Sequence, residues 1–150
     1  MLKANFITAQ EAAEKIQDGS TLCTIGMTLV SASESILKAI EKRFETVGHP
    51  ADITLVHSCG QSDRKDGIQH LAHEGLVKRI VGSHWGLQPR WMEMIANSQV
   101  EAYCLPQGQI AQLYRSMACG LPGKMSKVGL GTFIDPRVEG GKMNDRTKPL

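Results

Sequence analysis

Neither sign of charge dominates this sequence. Fifteen acidic residues stand against seventeen Lys and Arg, a formal net charge of only +2. That balance excludes the basic field by which proteins hold a nucleic-acid backbone, so no nucleic-acid partner is expected. Long hydrophobic runs are also missing: nothing approaches the roughly eighteen apolar residues that cross a bilayer. The opening stretch MLKANFITAQEAAEK has no apolar core of the kind a secretion signal carries. No membrane association is expected, and the expected location is the cytoplasm. The four cysteines, at 23, 59, 104 and 119, lack metal-type spacing. Three of them fall in or beside expected strands, as reduced cysteines packed like small hydrophobes do, so disulfides and a cysteine metal site are both unexpected. Internal repeats and low-complexity segments are absent, and no inter-domain linker precedes the polar tail Lys142 to Leu150.

What is present is an ordinary globular composition, 41% hydrophobic and 21% charged over 150 residues. One domain of that size buries roughly 70% of its unfolded surface. Thr8-Ala9-Gln10-Glu11 has capping-box spacing and predicts a helix running to Gly19, with Ala12, Ala13 and Ile16 as its apolar stripe. Thr21 to Ile25 reads as a strand that breaks at Gly26. Ser31-Ala32-Ser33-Glu34 repeats the capping-box pattern ahead of Ile36, Leu37, Ile40 and Phe44, whose spacing defines a second helix. Ile53 to Val56 is a second strand, and the polar run Gly60 to Gly67 reads as a surface loop. A short helix over Ile68 to Glu74 leads to a third strand, Arg79 to Gly82. Trp91, Met94 and Ile95 share one face of a helix that starts just after Pro89. Val100 to Leu105 is the fourth strand, and Ile110, Leu113 and Met117 mark the helix behind it. Strand and helix alternate four times through connections too long for hairpins, which argues for an α/β fold: a mostly parallel, doubly wound sheet with helices on both faces.

Several places could carry chemistry. The loop Gly26 to Ser33 joins a strand to a helix N-terminus, a natural anion site. In Tyr103-Cys104-Leu105-Pro106-Gln107-Gly108 a strand ends in a turn that presents one carboxamide, Gln107, where sheet-end ligands usually collect. His84 and Trp85 stand between glycines at another strand end. There Trp85 can plug the sheet while His84 bonds to backbone, and a structural role is at least as well founded as a functional one. His70 and His73 stand three apart, but His-x-x-His-Glu matches no metalloprotease helix pattern and no third ligand is apparent, so a solvated helix face is expected and no metal. Gly129-Leu130-Gly131-Thr132 lacks the helix and the third glycine of a dinucleotide fingerprint. Asp135-Pro136-Arg137 makes either a turn locked by carboxylate and guanidinium or part of a site wall.

Three blocks carry a wider likeness: Gly82 to Leu87 (GSHWGL), Glu101 to Gly108 (EAYCLPQG) and Val128 to Asn144 (VGLGTFIDPRVEGGKMN). Through them the chain resembles the alpha, or N-terminal, half of the family I CoA-transferases, in particular the single-chain short-chain acyl-CoA:acetate and propionate transferases. The resemblance implies a CoA-transferase alpha-type domain over residues 1–150, incomplete at its C-terminus. It implies coenzyme A as substrate, with a short-chain acyl-CoA and no cofactor, a missing C-terminal (beta) half or subunit, and a homo-oligomer. Residue by residue, Gln107 matches the glutamine whose amide donates to the oxyanion. Gly26, Met27, Thr28, Glu34 and Gly108 fall in the substrate and CoA loops, and His84, Trp85, Gly131, Asp135 and Arg137 along the site wall. The family's loop reads roughly Gly-x-x-Gly-x-Gly-x-Pro-Glu, against Gly26, Leu29, Ser31, Ser33 and Glu34 here. The nucleophilic glutamate belongs to the half that is absent; Glu139 stands where the family has a glutamate of no nucleophilic role. The isolated chain is therefore expected to be inactive. The alternative is a non-catalytic α/β module derived from the same family that binds a ligand or a homologous subunit.

Overall fold

A computed structural model describes residues 4–149. Met1, Leu2, Lys3 and Leu150, the two ends of the expected domain, lie outside the described residues. In chain order the elements are α1 (Ala9–Glu14), β1 (Thr21–Thr24), α2 (Glu34–Val47), β2 (Ile53–His57), a 3-10 turn (Gly67–Leu71), β3 (Val77–Gly82), α3 (Pro89–Ala96), β4 (Glu101–Cys104) and α4 (Gln107–Ala118). The four strands lie side by side in sequence order and every pairing is parallel. Each strand therefore finishes at the same edge of the sheet, and that is the fact the site depends on.

Register separates the two faces. Leu22, Leu55, Ile80 and Ala102 stand opposite one another across the sheet. With Ile53 they pack against Ala13 of α1, Leu37 and Ile40 of α2, Ile68 and Leu71 of the 3-10 turn, and Trp91, Met94 and Ile95 of α3. Full burial of each large side chain contributes about 1.5–3 kcal/mol. Trp91 satisfies its one polar atom by donating to the Ile68 carbonyl at 2.9 Å. The opposite face carries Cys23, Thr54, Val56, Arg79 and Tyr103, and α4 reaches over it. Helices thus lie on both faces, three on one and α4 on the other. Cys23 is exposed on this thinly covered face, where packing like a small hydrophobe was expected.

The outer edge of β4 is closed by the end of the chain. Cys104 N–H donates to the Gly141 carbonyl (2.7 Å) and Met143 N–H to the Ala102 carbonyl (3.0 Å), an antiparallel contact on a parallel sheet. Asn144 Nδ2 donates to the Ile95 and Val100 carbonyls, both at 2.9 Å. The Thr147 hydroxyl accepts from Ala102 N–H at 2.8 Å and donates to Asn144 Oδ1 at 2.6 Å. The expected polar tail is in this sense a clasp, polar because its side chains bond to backbone.

Other boundaries moved for local reasons. The capping box at Thr8 forms, but α1 stops at Glu14 and not Gly19. Arg43 of α2 takes the freed Ala13 and Ile16 carbonyls at 2.7 and 2.8 Å, and Asp18 holds the Ala51 amide at 2.8 Å. The second capping box does not form: Ser31 adopts φ 63 and the Glu34 carboxylate turns to the 3-10 turn instead. The Ile68 to Glu74 helix is that 3-10 turn. The run Gly60 to Gly67 is only partly a surface loop, because Gln61 and Ser62 are buried. On α4 Ile110 is fully buried, whereas Met117 is 43% exposed.

His70 and His73 do not form a solvated face. His70 lies between two carboxylates of α2, Nε2 at 2.8 Å from Glu34 and Nδ1 at 2.5 Å from Glu41, while His73 Nε2 lies 2.9 Å from Glu41. Glu34, Asp66 and His70 converge as a metal trio would, but the Lys38 ammonium sits 3.0 Å from Glu34 and 3.4 Å from Asp66 and supplies the positive charge itself. Burial opposes a charged His70, yet the hydrogen bonds and charges of Glu34 and Glu41 outweigh it and raise the pKa. A folded pKa above the unfolded value stabilises the fold fully below about 6.5, and this contribution is lost as pH rises through the folded pKa. The difference in urea-unfolding free energy between the protein and its His70→Gln form is thus expected to be largest near pH 5.5 and to shrink by on the order of 1 kcal/mol toward pH 8.5, after allowing for solvent screening. A difference that does not change with pH would show that the pair of carboxylates does not hold the ring charged.

Candidate active site

Because the strands are parallel, their carboxyl ends and the loops that follow them gather at one edge. Four successive loops border an open cleft of about 430 Å³ there: Met27 and Thr28 follow β1, Cys59 and Gly60 follow β2, Ser83, His84 and Leu87 follow β3, and Gln107 follows β4. Gln107 is the first residue of α4, exposed, and Pro106 directly before it fixes the helix entry. The N-terminus of α4, with the positive end of its peptide dipoles, lies at the same place.

Next to the cleft, side chains and one backbone amide bond to carbonyls at or just beyond the strand ends. Gln61, 1% exposed, donates to the Thr24 carbonyl at 2.8 Å. The buried Gln88 amide, oriented to satisfy both of its neighbours, donates to the His84 carbonyl and accepts from Gln61 N–H, each at 3.0 Å. The Ser83 hydroxyl donates to the Ser58 carbonyl, and Leu105 N–H donates to the Gly82 carbonyl at 2.9 Å. From the α4 side the Tyr114 hydroxyl reaches the Thr24 and Val56 carbonyls at 3.2 and 3.3 Å. Buried polar atoms without such partners would each cost about 1–3 kcal/mol, so this network keeps the four ends in one arrangement.

The loop after β1 is strained. Gly26 has φ 153, and a Cβ there would stand 2.8 Å from the Val30 carbonyl oxygen. Thr28 and Ser31 take φ 53 and 63, conformations that cost a side chain about 1–2 kcal/mol each. Reciprocal bonds between Met27 and Val30 (3.1 and 3.0 Å) and a Thr28 N–H bond to Gly60 O (2.9 Å) hold the loop closed against that cost. The result places Met27 and Thr28 on the cleft.

Beneath the third loop, Trp85 plugs the sheet end at 9% exposure and meets the His57 ring edge-on at 5.0 Å. His57 is fully buried; its Nδ1 donates to the Cys59 carbonyl at 2.8 Å and its Nε2 has no partner. Burial pushes the His57 pKa down to about 4, so the ring is neutral where the loops work. His84, the residue beside Trp85, is exposed on the cleft rim, and the absence of a Cβ at Gly60 leaves room for its ring.

Residues 6–148 match the family model described as coenzyme A transferase. The chain belongs to the coenzyme A transferase family. It is 42% identical over 145 residues to the caffeate CoA-transferase of Acetobacterium woodii, covering 96% of this chain and 28% of that one. To the acetate CoA-transferase YdiF of Escherichia coli K12 it is 38% identical over 144 residues, covering 95% of this chain and 27% of that protein. The crystal structure of the E. coli O157:H7 acyl-CoA transferase YdiF in its thioester complex with CoA superposes with a TM-score of 0.87 at 37% identity, over 95% of this chain and 28% of that one. The chain thus spans less than a third of the length of these transferases.

In this member of the family the cleft gathers Met27, Thr28, His84 and Gln107; Gly26, Gly108 and Trp85 are their neighbours in sequence and do not line it. Other expected site residues lie elsewhere. Glu34 does not face the cleft; its carboxylate accepts from Gly67 N–H at 2.9 Å and pairs with Lys38 and His70, because α2 starts one residue after Ser33 and turns that side chain toward the 3-10 turn. Asp135 and Arg137 form the locked turn and not the cleft wall. The Asp135 carboxylate is 2% exposed and accepts from Gly131 N–H (2.8 Å) and from the Arg137 guanidinium (2.6 and 3.0 Å), which holds its pKa well below the usual carboxylate range. This turn borders a separate groove beside α4, with Gly131 as its hinge at φ 78. Cys59, Gly60, Ser83 and Leu87 also line the cleft, and nothing in their residue types signals it. Gln61 and Gln88 were hidden because glutamine in a loop normally reads as solvated.

Gly82 has no spare room: a Cβ there would overlap the His57 ring and stand 3.0 Å from Trp85. Gly82→Ala is expected to lower unfolding free energy by about 1–3 kcal/mol in chemical denaturation, the usual cost of forcing an extra carbon into a packed interior. An unchanged midpoint would mean that His57 and Trp85 do not form a rigid floor.

Proposed function

We propose that this chain is the N-terminal portion of a cytoplasmic CoA-transferase that moves CoA between a short-chain acyl-CoA and a carboxylic acid such as acetate. The observation that carries the reading is the position of Gln107: a free carboxamide at the N-terminus of α4, opening on a cleft shared by four strand ends. Family membership and the likeness to YdiF, whose solved complex holds a CoA thioester, support it.

In the proposed reaction a glutamate carboxylate from outside these 150 residues attacks the acyl-CoA thioester carbonyl. The C=O electron pair moves onto oxygen, and this oxyanion accepts a hydrogen bond from Gln107 Nε2 in the field of the α4 N-terminus. Collapse expels CoA thiolate and leaves an acyl-glutamyl anhydride. The thiolate then attacks the glutamyl carbonyl, releasing the first acid and forming a glutamyl-CoA thioester; the acceptor acid runs the same steps in reverse. A carboxylate is a weak nucleophile in water, so holding the partners against one another is the larger part of catalysis. No cofactor takes part. The partner is the C-terminal (beta) half, on the same chain or a separate one, and self-association into a homo-oligomer would cover apolar residues that stand exposed, such as Met125 and Val128.

In the full-length protein, Gln107→Ala is expected to lower kcat for CoA transfer from a short acyl-CoA to acetate by about 100- to 1000-fold. The 150-residue chain alone is expected to give no transfer. Full activity of the variant, or transfer by the isolated chain, would contradict the reading; no transfer by the unaltered full-length protein would favour a non-catalytic binding module.

A further inference from the structure

α4 is the element that carries Gln107, yet its attachment to the sheet is slight. Its only fully buried apolar side chain is Ile110, and Met117 and Leu121 beyond it are half exposed. Among the described residues, the only side-chain hydrogen bonds from α4 to the sheet are those of Tyr114. Gln107 and Tyr114 are seven residues apart, which on a helix of about 3.6 residues per turn is two turns less about 20°, so they share one face. That face is directed at the strand ends. Its first residue lines the cleft, and two turns further on a phenol hydroxyl shares its single proton between the Thr24 carbonyl of β1 (3.2 Å) and the Val56 carbonyl of β2 (3.3 Å). Thr24 O is also the acceptor of Gln61, which connects through Gln88 to the His84 loop.

We propose that Tyr114 is a positioning residue: by fixing the rotation and advance of α4 against β1 and β2, its hydroxyl sets where the Gln107 carboxamide stands in the cleft. The inference rests on the reading of Gln107 as the oxyanion donor. Geometry supplies the reason such a device is needed. Pro106 fixes the chain direction entering α4 but not the roll of the helix, and one buried isoleucine leaves that roll soft. An oxyanion donor is effective only within about 2.7–3.1 Å of its target, so a roll of a few degrees matters. Burial raises the phenol pKa to about 12, so the hydroxyl is present as a donor throughout the pH range in which a transferase works. Both of its acceptors are backbone carbonyls, which do not titrate.

The test is a double-substitution cycle in the full-length protein, with Tyr114→Phe, which keeps the ring, and Gln107→Ala. Tyr114→Phe is expected to lower kcat by about tenfold, the equivalent of one net hydrogen bond, while KM for the acyl-CoA stays within about twofold. On the Gln107→Ala background it is expected to cause no further loss, because the group it positions is gone. Losses that multiply independently, or an unchanged kcat in the single Phe form while Gln107→Ala is slow, would overturn the inference. If Gln107→Ala itself leaves the rate intact, the oxyanion reading fails and the inference falls with it. Hydrogen exchange separates the structural role from activity: in the full-length protein Tyr114→Phe is expected to speed exchange of the amides of residues 110–113 by about tenfold with α2 unchanged. Equal exchange in the two forms would show that the hydroxyl does not hold α4.

Discussion

Four parallel strands that end at one edge leave carbonyl oxygens there that no neighbouring strand can satisfy, and the rest of this structure is arranged around them. A doubly wound sheet would normally give those positions to solvent or to helix amides. Here Gln61 and Tyr114 share the Thr24 carbonyl, Ser83 takes that of Ser58, the Leu105 amide takes that of Gly82, and Gln88 joins two of the loops. Each bond does two things at once: it removes the cost of a buried, unpaired acceptor and it fixes the loop that carries a cleft residue. The cleft is the space left above that layer.

Local strain and desolvation both occur at this edge. Thr28 and Ser31 hold left-handed backbone in the first loop, and His57 gives up both its charge and one hydrogen bond under Trp85. Such local costs persist only where packing over-determines the conformation, and here the main core on the α1–α3 side of the sheet provides the surplus. The polar cluster of Glu34, Lys38, Glu41, Asp66 and His70 stands on that side too, binding α2 to the 3-10 turn just beyond the two loops that form one wall of the cleft.

Much of the fold was legible because its signals are local. Alternating strands and helices gave the parallel sheet, and the stripe Trp91, Met94 and Ile95 gave the buried face of α3. The strand-end placement of Gln107 was legible through its proline-glycine setting, and that of Met27, Thr28 and His84 through the loops that follow strands. What was not legible depends on contacts distant in sequence. The clasp of residues 141–147 reads as a polar tail until Asn144 and Thr147 are seen bonding to Val100 and Ala102. His70 reads as solvated because its partners Glu34 and Glu41 lie some thirty residues earlier. Glu34 fitted the loop pattern, but its position one residue inside α2 turns it away, and Asp135 fitted the site wall but is consumed by Arg137 and Gly131.

At the heart of the proposed chemistry, the amide of Gln107, placed by α4 at a cleft shared by four strand ends, receives the oxyanion of a CoA thioester. It is tested most directly by a crystal structure of the full-length protein trapped with a bound acyl-CoA or its covalent thioester. The thioester carbonyl oxygen is expected within about 2.7–3.1 Å of Gln107 Nε2, in the cleft between Met27, Cys59 and Leu87. A carbonyl bound outside that cleft, for example in the groove beside Asp135, with Gln107 left facing solvent, would contradict it.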